Sequence, residues 1–228
     1  MRLENVSCFD FLPSIESNSI DLVLIDPPYQ ISKDTGFHSC VEGEKRFMVS
    51  YKFGEWDENF TGLQIAVEET YRVLKNSGTF ICFYDLWKIE TLKNMMEEAG
   101  YKQIRFLEWI KTNPVPINSK VNYLTNCREV AVLGVKKGKP TFNSEYDNGI
   151  YKYPICHEKG RFHPTQKPLK LIEDLVVKHS NEGDTVLDCF SGSGTTAVAS
   201  MNTGREFIGC ELDKGYFDKS VERISKNE

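Results

Sequence analysis

Thr185-Val186-Leu187-Asp188 runs into Cys189-Phe190-Ser191-Gly192-Ser193-Gly194-Thr195-Thr196 and then into Ala197-Val198-Ala199-Ser200-Met201. The first four residues read as a buried strand, the middle as a glycine-rich turn, and the last as a helix. That order lets backbone amides approach a bound group closely, because glycine has no Cβ to hold it off. Two familiar nucleotide loops do not fit. No Lys follows the glycines, as a P-loop requires, and Ala197 stands where a dinucleotide fingerprint has its third glycine. The next strand, Glu206-Phe207-Ile208-Gly209-Cys210, ends in Glu211, an acid placed to accept from two ribose hydroxyls. The pattern suits a nucleoside that carries no pyrophosphate.

Far upstream, a second apolar run, Ile20-Asp21-Leu22-Val23-Leu24-Ile25, reads as another buried parallel strand. It ends in Asp26-Pro27-Pro28-Tyr29. The prolines fix φ and remove two backbone N–H groups, so two carbonyls are left to accept from a ligand. The Asp26 carboxylate also accepts, and the Tyr29 ring offers a stacking face. Together these groups can grip an exocyclic amine on a planar base.

The two constellations, in this order and with His163-Pro164-Thr165-Gln166-Lys167-Pro168 between them, resemble the permuted β class of DNA amino-methyltransferases. The likeness runs over nearly the whole chain. It implies an α/β, Rossmann-like methyltransferase fold with a seven-stranded, mostly parallel sheet, an antiparallel edge pair and circularly permuted motifs. It also implies S-adenosyl-L-methionine as cofactor. Asp26, Pro27, Pro28 and Tyr29 would be catalytic. The cofactor set would be Ser7, Cys8, Asp26, His163, Thr165, Gln166, Lys167, Pro168, Asp188, Phe190, Ser191, Gly192, Ser193, Gly194, Thr195 and Glu211. Within it the His163–Pro168 motif covers the methionine end. Family members carry Gly-Asp-Cys near the N-terminus; here Val6-Ser7-Cys8 stands in its place. The implied reaction moves a methyl group to the N6 amine of a flipped adenine in DNA. The N4 amine of cytosine is the alternative, since it uses the same geometry. A first-position Ser is commoner among the N4 enzymes, so Asp26 favours adenine. The C5-cytosine class attacks through a Pro-Cys dipeptide, which this chain lacks.

Net charge is −5 over 228 residues, yet it is unevenly spread. Residues 111–170 hold 11 Lys and Arg against 4 Asp and Glu, whereas the segments before and after are acidic. A phosphate backbone attracts such a basic segment. Trp109, Lys111, Asn113, Pro114 and Pro116 resemble the family's target-base element, and residues 112–162 are read as a short target-recognition insertion in a single catalytic domain, 1–228. The DNA-binding candidates are Lys33, Lys111, Asn113, Lys120, Arg128, Lys136, Lys137 and Arg161. So short a recognition region makes a homodimer or a lenient site reasonable, and the resemblance admits a cognate restriction enzyme as partner. Seven scattered cysteines without a C-x-x-C pair fit reduced thiols, and their spacing with the histidines matches no zinc pattern, so no metal is expected. No 18-residue apolar run or basic-then-apolar leader is present, so no membrane association is expected. A cytoplasmic enzyme, on the nucleoid when bound to DNA, follows.

Apolar spacing predicts helices over 61–75, 86–99, 167–179 and 213–226, and strands over 79–84, 102–110 and 129–135. Residues 30–54 show no periodicity and read as a loop beside the site. Residues 117–128 and 136–162 read as irregular.

Overall fold

The structure, a computed structural model, describes residues 1–29, 62–114, 125–156 and 161–227, and the backbone of two strands within 37–49. The chain falls into two compact units: residues 1–27 with 64–228, and residues 28–63. In the smaller unit, β3 (Phe37–Val41) and β4 (Glu44–Val49) pair antiparallel as a hairpin. The expected structureless loop over 30–54 is therefore corrected there. Lys33 and Lys120 lie outside the described residues.

The larger unit is built on one sheet. Its strands are β1 (Arg2–Glu4), β2 (Ile20–Ile25), β5 (Leu74–Tyr84), β6 (Lys102–Lys111), β7 (Arg128–Val135), β8 (Ile150–Tyr153), β9 (Thr185–Asp188) and β10 (Glu206–Cys210). Their order is β1-β10-β9-β2-β5-β7-β6-β8. The expectation was seven strands with an antiparallel pair at the edge. The sheet has eight, and β7 runs antiparallel to both β5 and β6 from inside the sheet. The edge is β8, which pairs parallel to β6 and comes from a segment read as irregular. Four residues, one of them charged, bounded by Gly149 and Pro154, are too short for a periodic signal.

β2 shows why the parallel core was readable. Five of its six residues are buried, and the exception, Asp21, takes Lys75 at 2.8 Å and the Thr185 amide at 3.0 Å. The helix Leu63–Val73 ends two residues short of the expected 75, and Asn76-Ser77-Gly78 does not break the chain. It lies within β5, where the register against β2 jumps from Ile20↔Leu74 to Leu22↔Thr79. The turn residues form a bulge. The helix Ile89–Ala99 closes on Gly100, left-handed at φ 106°. Two further helices start one or two residues later than expected, because Pro168 and Asp213 serve as N-caps to Leu169–His179 and Lys214–Ser225. No helix among the described residues is long and apolar enough to cross a membrane.

The strand order reverses between β9 and β2. From β2 the chain moves to β5 on one side, and from β9 it moves to β10 on the other. Right-handed crossovers then put the two connecting helices on opposite faces, and a crevice opens at the carboxyl ends of β2 and β9. Those are the ends that carry Asp26 and the glycine loop.

Candidate active site

The glycine loop is a closed turn fixed from several sides. The Ser191 amide donates to Cys210 O at 3.0 Å and the Gly194 amide to Ser191 O at 2.8 Å. Arg223 donates to Ser193 O at 3.1 Å and to Thr195 Oγ1 at 2.9 Å. Gly192 and Gly194 are both left-handed, at φ 49° and 71°. A Cβ on Gly194 would come within 3.1 Å of the Ser220 Cβ, so the position is closed to larger residues by both strain and space. Gly194 caps the helix Thr195–Asn202.

Around this loop stand most of the anticipated cofactor residues. Glu211 accepts the Gly192 amide at 2.7 Å through Oε2 and the Asp213 amide at 2.8 Å through Oε1. A carboxylate offers about four lone-pair sites, so both oxygens retain capacity for ribose hydroxyls. Burial raises the Glu211 pKa above its ordinary range. Asp188 accepts from the Phe190 amide at 3.0 Å, and burial pushes its carboxyl up to about 7. The His163 ring packs on Tyr216, centroids 4.4 Å apart, and on Gly192. Burial, with Lys167 and Arg161 nearby, lowers its pKa to about 4, so the ring is neutral at pH 7. Thr165 bonds back to His163 Nδ1. Ser7 is an N-cap whose hydroxyl accepts the Phe9 amide at 3.2 Å, and Cys8 beside it is buried.

Two buried polar atoms in this region, Ser191 Oγ and Gln166 Oε1, have no hydrogen-bond partner among the described residues. Orphans of this kind are rare and costly in a finished protein. Together with the glycine cradle and the Glu211 carboxylate, they fit a polar ligand of nucleoside and amino-acid character.

The largest difference from expectation concerns Lys167. Its motif was assigned to the methionine end of the cofactor, yet its ammonium pairs with Asp26 Oδ2 and stands 3.1 Å from Glu129 Oε2. It lies 5.1 Å from the centre of the Phe83 ring and is 5% exposed. Burial works against the charge, but Asp26 and Glu129 outweigh it and raise the Lys167 pKa. Burial likewise pushes Glu129 up, and Lys167 and Lys111 overcome it and hold the carboxyl below its ordinary value. Sequence reading missed Glu129 and Phe83. The available signal for Glu129 was a solitary acid heading an apolar run inside the basic segment.

Several DNA candidates have other employment. Lys136 is buried, and its three ammonium protons go to Asn18 Oδ1, Arg72 O and Leu74 O at 3.0, 3.1 and 2.8 Å. Lys111 is paired with Glu129 at 2.8 Å. The Asn113 side chain accepts the Ile155 amide at 2.7 Å. Arg161 donates to the carbonyls of His163 and Pro164, bracing the turn of its own motif. Of these four, Lys136 has every ammonium proton committed within the fold, and the other three each have at least one polar group engaged by the protein itself. Arg128 and Lys137 remain exposed. Asp26 and Pro27 extend from the end of β2, and Pro28 and Tyr29 begin the smaller unit.

Residues 20–222 match the N6/N4 methyltransferase family, described as DNA methylase. The chain is 30% identical to the Type II methyltransferase M2.MboI of Moraxella bovis, over 97% of this chain and 89% of that one. It is 31% identical to the Type II methyltransferase M2.DpnII of Streptococcus pneumoniae, over 100% and 91%. Among solved structures, the M1.HpyAVI–SAM complex superposes with a TM-score of 0.73 at 27% identity, covering 97% of this chain and 98% of that one. The cytosine-N4-specific PvuII DNA methyltransferase superposes with a TM-score of 0.74 at 16% identity, over 99% and 90%, a likeness of fold. With its permuted motifs folded around one crevice, the chain belongs to the DNA methylase family.

Proposed function

We propose that this DNA methyltransferase modifies the N6 amine of adenine, with S-adenosylmethionine as methyl donor and Asp26 as the group that receives the amine. The carrying observation is a carboxylate at the end of β2, beside the strand-order reversal and next to the glycine loop. S-adenosylmethionine supplies a sulfonium methyl group for in-line attack. Glu211 would hold its ribose hydroxyls, the Gly192–Gly194 backbone its adenosine, and Ser191 and Gln166 its amino-acid end.

An amine conjugated to a purine ring is a poor nucleophile, because its lone pair is shared with the ring. Asp26 and the Pro27 carbonyl accept its two hydrogens and draw the nitrogen toward tetrahedral geometry, which frees the lone pair. The base must leave the duplex to reach this crevice. The family resemblance gives Tyr29 the role of stacking on the base. Catalysis then rests on placement and on fixed charge. Asp26 need not take a proton before transfer; the methylated amine loses its extra proton afterwards to solvent.

Residues 1–228 act as one catalytic domain in this reading, and the exposed Arg128 and Lys137 meet phosphate. So short a recognition segment favours a homodimer, and the likeness to Type II methyltransferases favours a cognate restriction enzyme as partner. The test is incubation of the purified protein with labelled S-adenosylmethionine and unmethylated DNA, followed by digestion to nucleosides. The label is expected in N6-methyladenine. Label in N4-methylcytosine alone would overturn the choice of base.

A further inference from the structure

Four charged side chains form an alternating row at the carboxyl end of the sheet. Lys111 Nζ is 2.8 Å from Glu129 Oε1, Lys167 Nζ is 3.1 Å from Glu129 Oε2, and Lys167 also pairs with Asp26 Oδ2. Three of the four sit at strand ends: Asp26 follows β2, Glu129 is near the start of β7, and Lys111 closes β6. Lys167 precedes the helix Leu169–His179, and its side chain is 5% exposed. It cannot turn to water without abandoning both carboxylates.

A lysine is a flexible stem with a point charge. With one partner, its ammonium would sweep an arc and the Asp26 carboxylate would rotate with it. Glu129 supplies the second partner, and Lys111 holds Glu129. The row therefore fixes the carboxylate rotation from a rigid sheet. It also shares the charge of Lys167 between two anions, so that Asp26 keeps more of its electron density as an acceptor. A buried ionic network of this kind adds little to stability that apolar residues of equal size would not. Its place beside the catalytic acid gives it a different use.

We infer that Glu129 is a positioning residue for methyl transfer, acting through Lys167 on Asp26. The inference rests on the methyl-transfer reading above. Among the described residues, the charged and titratable groups facing Lys167 include Asp26 just after β2, Cys82 from β5, Glu129 from β7 and His163 from its own segment, with the Phe83 ring beside them and Lys111 behind Glu129. Glu129→Gln changes one of these charges and little of the shape.

The experiment compares the full-length wild type, E129Q and E129D. It measures methyl transfer to unmethylated DNA across pH, the Kd for S-adenosylmethionine, and the melting temperature. E129Q is expected to lower kcat by about tenfold to a hundredfold, with cofactor Kd within about twofold of wild type. The basic limb of its kcat profile should move to lower pH, because Lys167 loses one of the carboxylates that keep it protonated. E129D should restore part of the rate. An unchanged kcat and pH profile in E129Q, with the wild type active, would overturn the inference alone. So would a fall in rate explained by weaker cofactor binding or lost folding, with no movement of the basic limb. A wild type that transfers no methyl group to DNA would overturn the inference and the reading beneath it together.

Discussion

The two ends of strand β7 each hold a buried lysine, and the two are put to opposite uses. At the start of β7, Glu129 meets Lys167, which is shared between Glu129 and Asp26, the carboxylate proposed to receive the amine. Just past its end, Lys136 is enclosed by two backbone carbonyls and the Asn18 side-chain oxygen. Lys167 is held charged by anions that outweigh burial, so its pKa is raised. Lys136 has neutral acceptors, and burial lowers its pKa. The first arrangement puts charge beside the proposed reaction site, and the second closes the opposite end of the sheet. Residue type and a basic neighbourhood do not separate these cases; the partners do.

Substitutions at the two ends should therefore separate catalysis from folding. The greatest effect is expected from Asp26→Ala, which should cut methyl transfer by about a thousandfold or more while calorimetry finds cofactor affinity little changed. Lys167→Met should follow, lowering kcat by about a hundredfold with the Kd for S-adenosylmethionine near that of wild type. A raised Kd with kcat preserved would return Lys167 to the cofactor and break the comparison. Glu211→Ala should instead raise that Kd by about tenfold or more, the value of at least one lost hydrogen bond to a charged group.

At the other end, Lys136→Met should leave kcat and DNA affinity as they are. It should cost about 2–4 kcal/mol of stability in a denaturant titration, since buried carbonyls lose their donor. The last effect is one of pH. His163 and His179 are both lowered to about 4 by burial, from an ordinary 6.5. As pH falls from 6.5 to 4, the unfolded imidazole takes up a proton that the folded one refuses, so stability is lost over that window. His179→Gln should reduce that loss by up to about 3 kcal/mol relative to wild type, read from melting at pH 7 and pH 4.5. His163→Gln should do likewise at the site end, where the ring also packs on Gly192.

The parallel core was legible in the sequence because its strands are continuous apolar runs that end in chemistry: Ile20–Ile25 before Asp26, and Thr185–Asp188 before the glycine loop. The glycines announced their own backbone, since φ 49° and 71° exclude most other residues. What the sequence hid was long-range pairing. Lys167 and Asp26 are 141 residues apart, and no local period links them. Lys136 lies in a basic run beside Lys137 and Lys139, and only the fold shows that it turns inward. β8 was missed because four residues between turn signals carry too short a pattern, and the Asn76–Gly78 bulge because turn residues read alike in a loop and in a strand.

The most direct test is long-read sequencing of DNA from methylation-free cells that express either the wild-type chain or Asp26→Ala. The account predicts N6-methyladenine at one short motif with the wild type and none with the variant. The same methylation in the Asp26→Ala cells, or N4-methylcytosine in place of N6-methyladenine with the wild type, would contradict it.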